Sequence, residues 1–266
     1  MSTTQQARTG DFEGAVAWIT GAGSGIGRAT ALAFAAQGAR VALVDRDGEA
    51  ARQTAALLAE AGVAPDRVQV QACDVVDAPA VQAAVQAAVR AWGRLDCAVN
   101  AAGVEGATRP LLDEDDALFD RTMDVNVRGV WHCLRAQVGQ MLAQQPAGGA
   151  IVNVSSGAGL VGSARSAVYG ASKHAVIGLT RSAALQYARR GVRINAVCPS
   201  GVQTPMAERI VASFEGGPPS RGGAAYPLGR YSTPEEVASA ILWLCSPGAA
   251  SAIGSALVID GGFTAA

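Results

Sequence analysis

The sequence predicts a doubly wound α/β fold, a mostly parallel sheet of seven strands with helices on both faces, and three observations carry that prediction. Short runs rich in β-branched and other apolar residues recur along the 266 positions. Alanine-rich stretches with helical period separate them. The runs are apolar throughout rather than alternating, so each strand is buried on both faces, as a parallel sheet between two helical layers requires.

The elements follow in strict alternation. Ala15 to Thr20 is the first strand and runs into a glycine cluster from which a helix spans Gly25 to Gln37. Arg40 to Asp45 and Glu49 to Ala61 form the second strand and helix, and Arg67 to Ala72 and Pro79 to Trp92 the third pair. Leu95 to Asn100 precedes a long helical stretch from Asp115 to Gln144, and Ala150 to Ser155 precedes another from Ser166 to Arg190. Val192 to Cys198 is the sixth strand. The piece from Thr204 to Arg230 lacks periodicity and carries the glycine- and proline-rich tract Glu215 to Gly223, so it reads as an irregular lid over a site. A helix from Pro234 to Cys245 and a strand from Ala256 to Asp260 close the series. No composition break, repeat or low-complexity tract divides it, so 14–266 reads as a single domain behind a polar tail at 1–13.

Composition narrows the function. Half of the residues are hydrophobic and 16% are charged, as in a compact protein with much buried surface. The formal net charge is -1 with no basic run, so the electrostatic footprint for nucleic acid or acidic lipid is missing and a small-molecule partner is expected. Cys73, Cys97, Cys133, Cys198 and Cys245 form no C-x-x-C and lie mostly in apolar runs, which reads as reduced core thiols. His132 and His174 have no partner at ligand spacing, so no metal site is expected. The opening residues lack an apolar signal core, and no apolar run approaches the ~18 residues of a membrane span; a cytoplasmic protein is the expectation.

The glycine cluster is Thr20-Gly21-Ala22-Gly23-Ser24-Gly25-Ile26-Gly27, between a strand and a helix. Without Cβ atoms at Gly21, Gly25 and Gly27, backbone N–H groups and a helix N-terminus can approach a pyrophosphate. Asp45 ends the second strand 18 positions beyond Gly27, where a dinucleotide site needs a carboxylate for the adenosine ribose hydroxyls. It would repel a 2'-phosphate. Arg46 could pair with one, but Ser24 stands where a second basic residue would help, so NAD is favoured over NADP. Farther on, Tyr169 and Lys173 lie four residues apart on one helical face, where an ammonium can favour the phenolate and make the phenol a usable base.

These segments, in this order, resemble the short-chain dehydrogenases/reductases from about Gly14 to Gly262. The likeness rests on the Thr20–Gly27 loop, Asp74-Val75, Asn100-Ala101-Ala102-Gly103, Asn126, Ser155-Ser156, Tyr169 with Lys173, and Pro199 with Thr204. It implies a Rossmann-like fold and hydride transfer between a nicotinamide and a secondary alcohol or ketone. Tyr169 would be the general base in oxidation and the acid in reduction. Lys173 would lower its pKa and hold the nicotinamide ribose, and Asn126 would hold a relay water. Ser156 would bond the reacting oxygen, because the family usually keeps 13 positions between serine and tyrosine and 169 minus 156 is 13; Ser155 is the alternative. The same likeness gives the cofactor Gly21, Ser24, Gly25, Ile26, Gly27, Asp45 and Arg46. It further assigns Asp74 and Val75 to the adenine, Asn100, Ala101 and Gly103 to the adenosine side, and Pro199, Val202 and Thr204 to the nicotinamide end. Two departures are Ala101, where the family often has asparagine, and Ser200 after Pro199 in place of glycine.

Glu105, Leu160, Val161, Arg165, Met206, Val211 and Phe214 are the expected substrate walls, with the two charged members more readily solvated than bound to substrate. The closing Leu257 to Gly262 segment resembles one that commonly sits at a subunit contact, which implies a homotetramer. Two alternatives stay open: an NADPH-dependent reductase of 3-ketoacyl thioesters, against which Asp45 and the shortage of basic residues speak, and a non-catalytic NAD-binding regulator.

Overall fold

The computed structural model describes residues 11–213 and 226–266. Among the described residues, seven strands form one sheet in the order β3-β2-β1-β4-β5-β6-β7: β1 Val16–Thr20, β2 Arg40–Asp45, β3 Val68–Ala72, β4 Cys97–Asn100, β5 Gly149–Val154, β6 Val192–Pro199 and β7 Ala256–Ile259. Every pairing is parallel, so the sheet is parallel throughout. The helices are α1 Gly25–Ala36, α2 Gly48–Glu60, α3 Ala78–Trp92, α4 Asp116–Met123, α5 Gly129–Ala143, α6 Ala167–Tyr187, α7 Pro205–Ala212 and α8 Pro234–Cys245.

Strand pleating sorts the apolar side chains into two cores. In β1, Ala17 and Ile19 join Phe34 of α1, Leu58 of α2 and Ile241 of α8. Val16 and Trp18 point the other way, to Val85 of α3, Leu134 of α5 and Val176 of α6. Each fully buried Val, Leu or Ile stabilises the fold by roughly 1.5–3 kcal/mol, which suits the central strands β1 and β4, buried along their whole length. The edge strand β3 departs from the expected apolar run, alternating Val and Gln and staying only partly buried because one edge of the sheet lacks a neighbouring strand. The five cysteines are free and buried.

Polar side chains set several helix starts. Asp47, Asp77, Asp115, Thr204 and Thr233 each accept main-chain N–H bonds at the first turn of α2, α3, α4, α7 and α8. The cap at Thr204, a proline at the first turn and the run Met206, Ile210 and Val211 make a helix where the sequence reads as irregular. The Glu215 to Gly223 tract lies outside the described residues, as does Phe214. A second difference lies between α4 and α5, where the long helical stretch passes through a π-helical turn, Asp124–Arg128. Asn126, completely buried, sits in that turn.

The chain order reverses at β1. From it the sheet grows to β2 and β3 on one side, and the chain then returns to β4 on the other. Ligands of open α/β sheets bind beyond the strand C-terminal ends at such a point. Thr20 ties the two halves together there, its hydroxyl accepting from the N–H groups of Ala101 at 3.0 Å and Ala102 at 3.1 Å.

Candidate active site

The loop from Gly21 to Gly27 lies at this crevice. Gly21 has φ +66°, and a Cβ there would lie 3.0 Å from the Ala101 carbonyl; a Cβ on Gly27 would run into the Gly21 carbonyl oxygen. Only glycine lets the loop pass that close to the β4 end and to its own helix. Arg28 donates to the Gly23 carbonyl and, at 3.1 Å, to Thr54, whose hydroxyl in turn donates to the Ala22 carbonyl at 2.8 Å. Arg28 and Thr54 escaped sequence reasoning because neither belongs to the glycine pattern. Exposed Ser24 precedes α1 without a side-chain cap, so the first-turn N–H groups have no side-chain acceptor of their own. The cradle suits a pyrophosphate.

Asp45 reaches the same loop. Its Oδ2 accepts from Gly23 N at 2.9 Å and its Oδ1 from Asp47 N at 3.0 Å, which aims the carboxylate along the crevice edge. Arg46 and Asp74 are exposed, while Val75 is buried. Thr204, at the other end of the crevice, is brought to the loop: a Cβ on Gly25 would be 3.0 Å from its methyl. Its hydroxyl caps α7 through Ala207 N at 3.2 Å. Pro199 ends β6, and Val202 is buried and bridged to Ser232. Next to them the hydroxyl of Ser200 lies 3.3 Å from that of Tyr226.

Asn100, the last residue of β4, directs its side chain into the protein. Its side chain is buried in a polar network, donating to Asn153 Oδ1 at 2.8 Å and to Gln137 Oε1 at 3.1 Å and accepting from Gln137 at 2.7 Å. Asn153 continues to Thr180 at 2.9 Å. A buried amide must satisfy its donors, and these partners do so inside the protein.

The reacting cluster assembles from three elements. Tyr169 and Lys173 sit one turn apart in α6, with the Lys173 Nζ 5.6 Å from the Tyr169 ring centre. Two serines follow β5 with different fates. Ser155 is buried and donates to the Lys173 carbonyl at 2.9 Å. Ser156 accepts from Ala158 N at 3.2 Å and exerts a hydrogen-bonding influence on the Tyr169 phenol. Of the two hydroxyls, the one on Ser155 is spent inward on α6, while the one on Ser156 acts on the phenol.

Asn126 acts through its side chain as a tie. Its Oδ1 accepts from Val104 N at 2.8 Å, and its Nδ2 donates to Val104 O at 3.0 Å and Ser172 Oγ at 3.1 Å. Both amide donors are thereby spent within the protein. Gly103 runs beside it; a Cβ there would be 3.2 Å from Asn126 Oδ1 and 3.5 Å from Lys173 Nζ.

Burial governs the titration of the pair. Lys173 is buried with its Nζ donating to the Val154 carbonyl at 3.0 Å, and burial pushes it down to about 8, with Cys198 opposing. Tyr169 is raised, first by burial; Ser156 pulls it down and the Glu105 carboxylate pushes it up. On balance the phenol stands above its ordinary value, because desolvation and the Glu105 carboxylate outweigh the Ser156 hydroxyl.

The expected substrate walls divide. Leu160, Val161, Met206 and Val211 are half-buried and Arg165 is exposed. Glu105 is engaged by Arg209 of α7, which sequence reasoning missed because the partners are 104 positions apart.

Comparison with known proteins fits this layout. A family model described as enoyl-(acyl carrier protein) reductase matches residues 21–264. The chain is 40% identical over 255 residues to 2,5-dichloro-2,5-cyclohexadiene-1,4-diol dehydrogenase of Sphingobium indicum, covering 96% of this chain and 99% of the relative. The chain belongs to the short-chain dehydrogenase/reductase family. It is an oxidoreductase acting on CH–OH groups. A levodione reductase of Leifsonia aquatica is 36% identical over 269 residues, covering 99% of each chain. A solved levodione reductase structure superposes with TM-score 0.90 at 36% identity, covering 96% of this chain and 99% of that one. A 3-ketoacyl-(acyl-carrier-protein) reductase from Brucella melitensis, solved with NADH, gives 0.85 at 34% identity over 95% and 99% of the two chains.

Proposed function

We propose that this member of the family is an NAD-dependent dehydrogenase that interconverts a secondary alcohol and its ketone, with Tyr169 as the proton-transfer group. The convergence of Ser156, Tyr169 and Lys173 beside a glycine cradle carries the reading. A bound nicotinamide dinucleotide supplies the acceptor or donor of the hydride. Gly21 to Gly27 and the start of α1 would hold its pyrophosphate, Asp45 the adenosine ribose, and Val202 with Thr204 the nicotinamide end.

The chain's own part is positioning and proton transfer. Ser156 holds the substrate oxygen next to the Tyr169 hydroxyl. In reduction the neutral phenol gives its proton to that oxygen; in oxidation the phenolate removes it. The raised Tyr169 makes the acid form dominant at neutral pH, and the Lys173 ammonium, still mostly charged below about 8, favours the phenolate when the proton leaves. Asn126 locks the loop after β4 onto α6.

NAD is favoured because a ribose phosphate would meet the Asp45 carboxylate. The same residue argues against the NADPH-linked ketoacyl thioester reductase. A cyclohexadiene diol, a hydroxycyclohexanecarboxylate and threitol in the names of the relatives support a small oxygenated carbocycle or polyol as substrate. A homotetramer in the cytoplasm completes the reading.

The test is Tyr169→Phe. Turnover of a secondary alcohol is expected to fall by about 10²–10⁴-fold, while NAD affinity measured by calorimetry stays close to that of the parent. Undiminished turnover would refute the assignment.

A further inference from the structure

Two contacts outside the reacting cluster join α7 to the loop after β4. The Nε of Arg209 donates to Glu105 Oε1 at 2.5 Å and its Nη2 to Oε2 at 3.1 Å, a two-pronged bond. Just past the end of α7, the Ser213 hydroxyl lies 3.3 Å from that of Thr108. The side chains of Arg209 and Glu105 are 58% and 26% exposed, so solvent screens the pair and it adds little to global stability.

Its place in the chain matters more. Val104, one residue before Glu105, is gripped through both its N–H and its carbonyl by Asn126. Gly106, one residue after, lies against the general acid/base: a Cβ there would be 3.1 Å from the Cβ of Tyr169. Three consecutive residues thus link α7, the π-helical turn and Tyr169. The charged and titratable groups facing Glu105 are Arg209 from α7, Arg121 from α4 and Tyr169 from α6, and Tyr169 is faced in turn by Lys173.

We propose that Arg209 and Glu105 are positioning residues for the reaction: the guanidinium fork holds the Glu105 carboxylate, and with it the Val104–Gly106 stretch, at a fixed place and with a fixed charge beside Tyr169. The inference rests on Tyr169 as the proton-transfer group. Glu105 raises Tyr169, and Arg209 holds Glu105 ionised, below the usual carboxylate range. With Arg209 in place the carboxylate is largely neutralised; without it the full negative charge bears on the phenol. The two residues therefore push the phenol in opposite directions, which a purely structural contact would not do.

The experiment compares full-length Glu105→Gln, Arg209→Gln, Arg209→Lys and the Glu105→Gln/Arg209→Gln double variant. Phenolate formation is followed by ultraviolet difference absorbance in the cofactor-free protein, with Tyr169→Phe subtracting the other three of the four tyrosines. The pH profile of kcat/KM for alcohol oxidation is the second readout. Arg209→Gln is expected to move the Tyr169 midpoint and the acidic limb up by about half a pH unit or more, and Glu105→Gln to move both down. The double variant follows Glu105→Gln, and Arg209→Lys returns most of the shift. Shifts of the same sign in the two single variants, or none in either, would overturn the proposal. An active Tyr169→Phe would instead overturn the reading beneath it.

Discussion

Replacing Ser155 and Ser156 one at a time should separate stability from chemistry at adjacent positions. The Ser155 hydroxyl is buried and spends its proton on the Lys173 carbonyl at 2.9 Å. That carbonyl also belongs to the α6 ladder, so Ser155→Ala leaves it partly satisfied and should cost about 1 kcal/mol. In a domain of this size that is about 2–4 °C in Tm, with kcat/KM within about tenfold of the parent because only a positioning bond is lost. Ser156 is half-buried and its bond to Ala158 N is local. Ser156→Ala should move Tm by about 1 °C or less but remove the donor facing the reacting oxygen, at about 10²–10³-fold in kcat. Differential scanning fluorimetry and steady-state assay of one secondary alcohol give both numbers. An inactive, fully stable Ser155→Ala beside an active Ser156→Ala would refute the assignment.

Asp45→Ser should raise the NADP to NAD ratio of kcat/KM by at least about tenfold, since the carboxylate that would repel a 2'-phosphate is gone and Arg46 stays; steady-state assay with each cofactor checks it. Lys173→Met should abolish most turnover yet stabilise the fold at pH 7. Burial lowers Lys173 from 10.5 to about 8, so the unfolded chain binds more protons between those values and the parent gains stability as pH rises through that window. The advantage of Lys173→Met, on the order of 1–3 kcal/mol at pH 7, should shrink toward pH 10 in urea unfolding. An advantage that grows with pH would contradict the assigned charge burial.

Much of the site was legible because its chemistry depends on local spacing. Gly21 to Gly27 announce themselves between a strand and a helix, and Tyr169 with Lys173 needs only one helical turn to share a face. The family likeness, more than physics, singled out Ser156. What escaped was set by distant contacts. The Asn100 side chain completes a buried network with Gln137 and Asn153, residues 37 and 53 positions away. Asn126 sat in a stretch with unbroken helical period, and nothing in that period shows the π-helical turn.

By itself the sequence determined the alternation of strands and helices, the phosphate cradle and the phenol–ammonium pair, because apolar period, missing Cβ atoms and one-turn spacing are local properties of the chain. Tertiary structure alone decided that the sheet is parallel throughout, that the Asn100 side chain faces inward, that burial raises the phenol, and that Arg209 reaches Glu105. Each of these depends on which surfaces are excluded from water and which groups meet across the fold. Desolvation and long-range pairing exist only once the chain has closed.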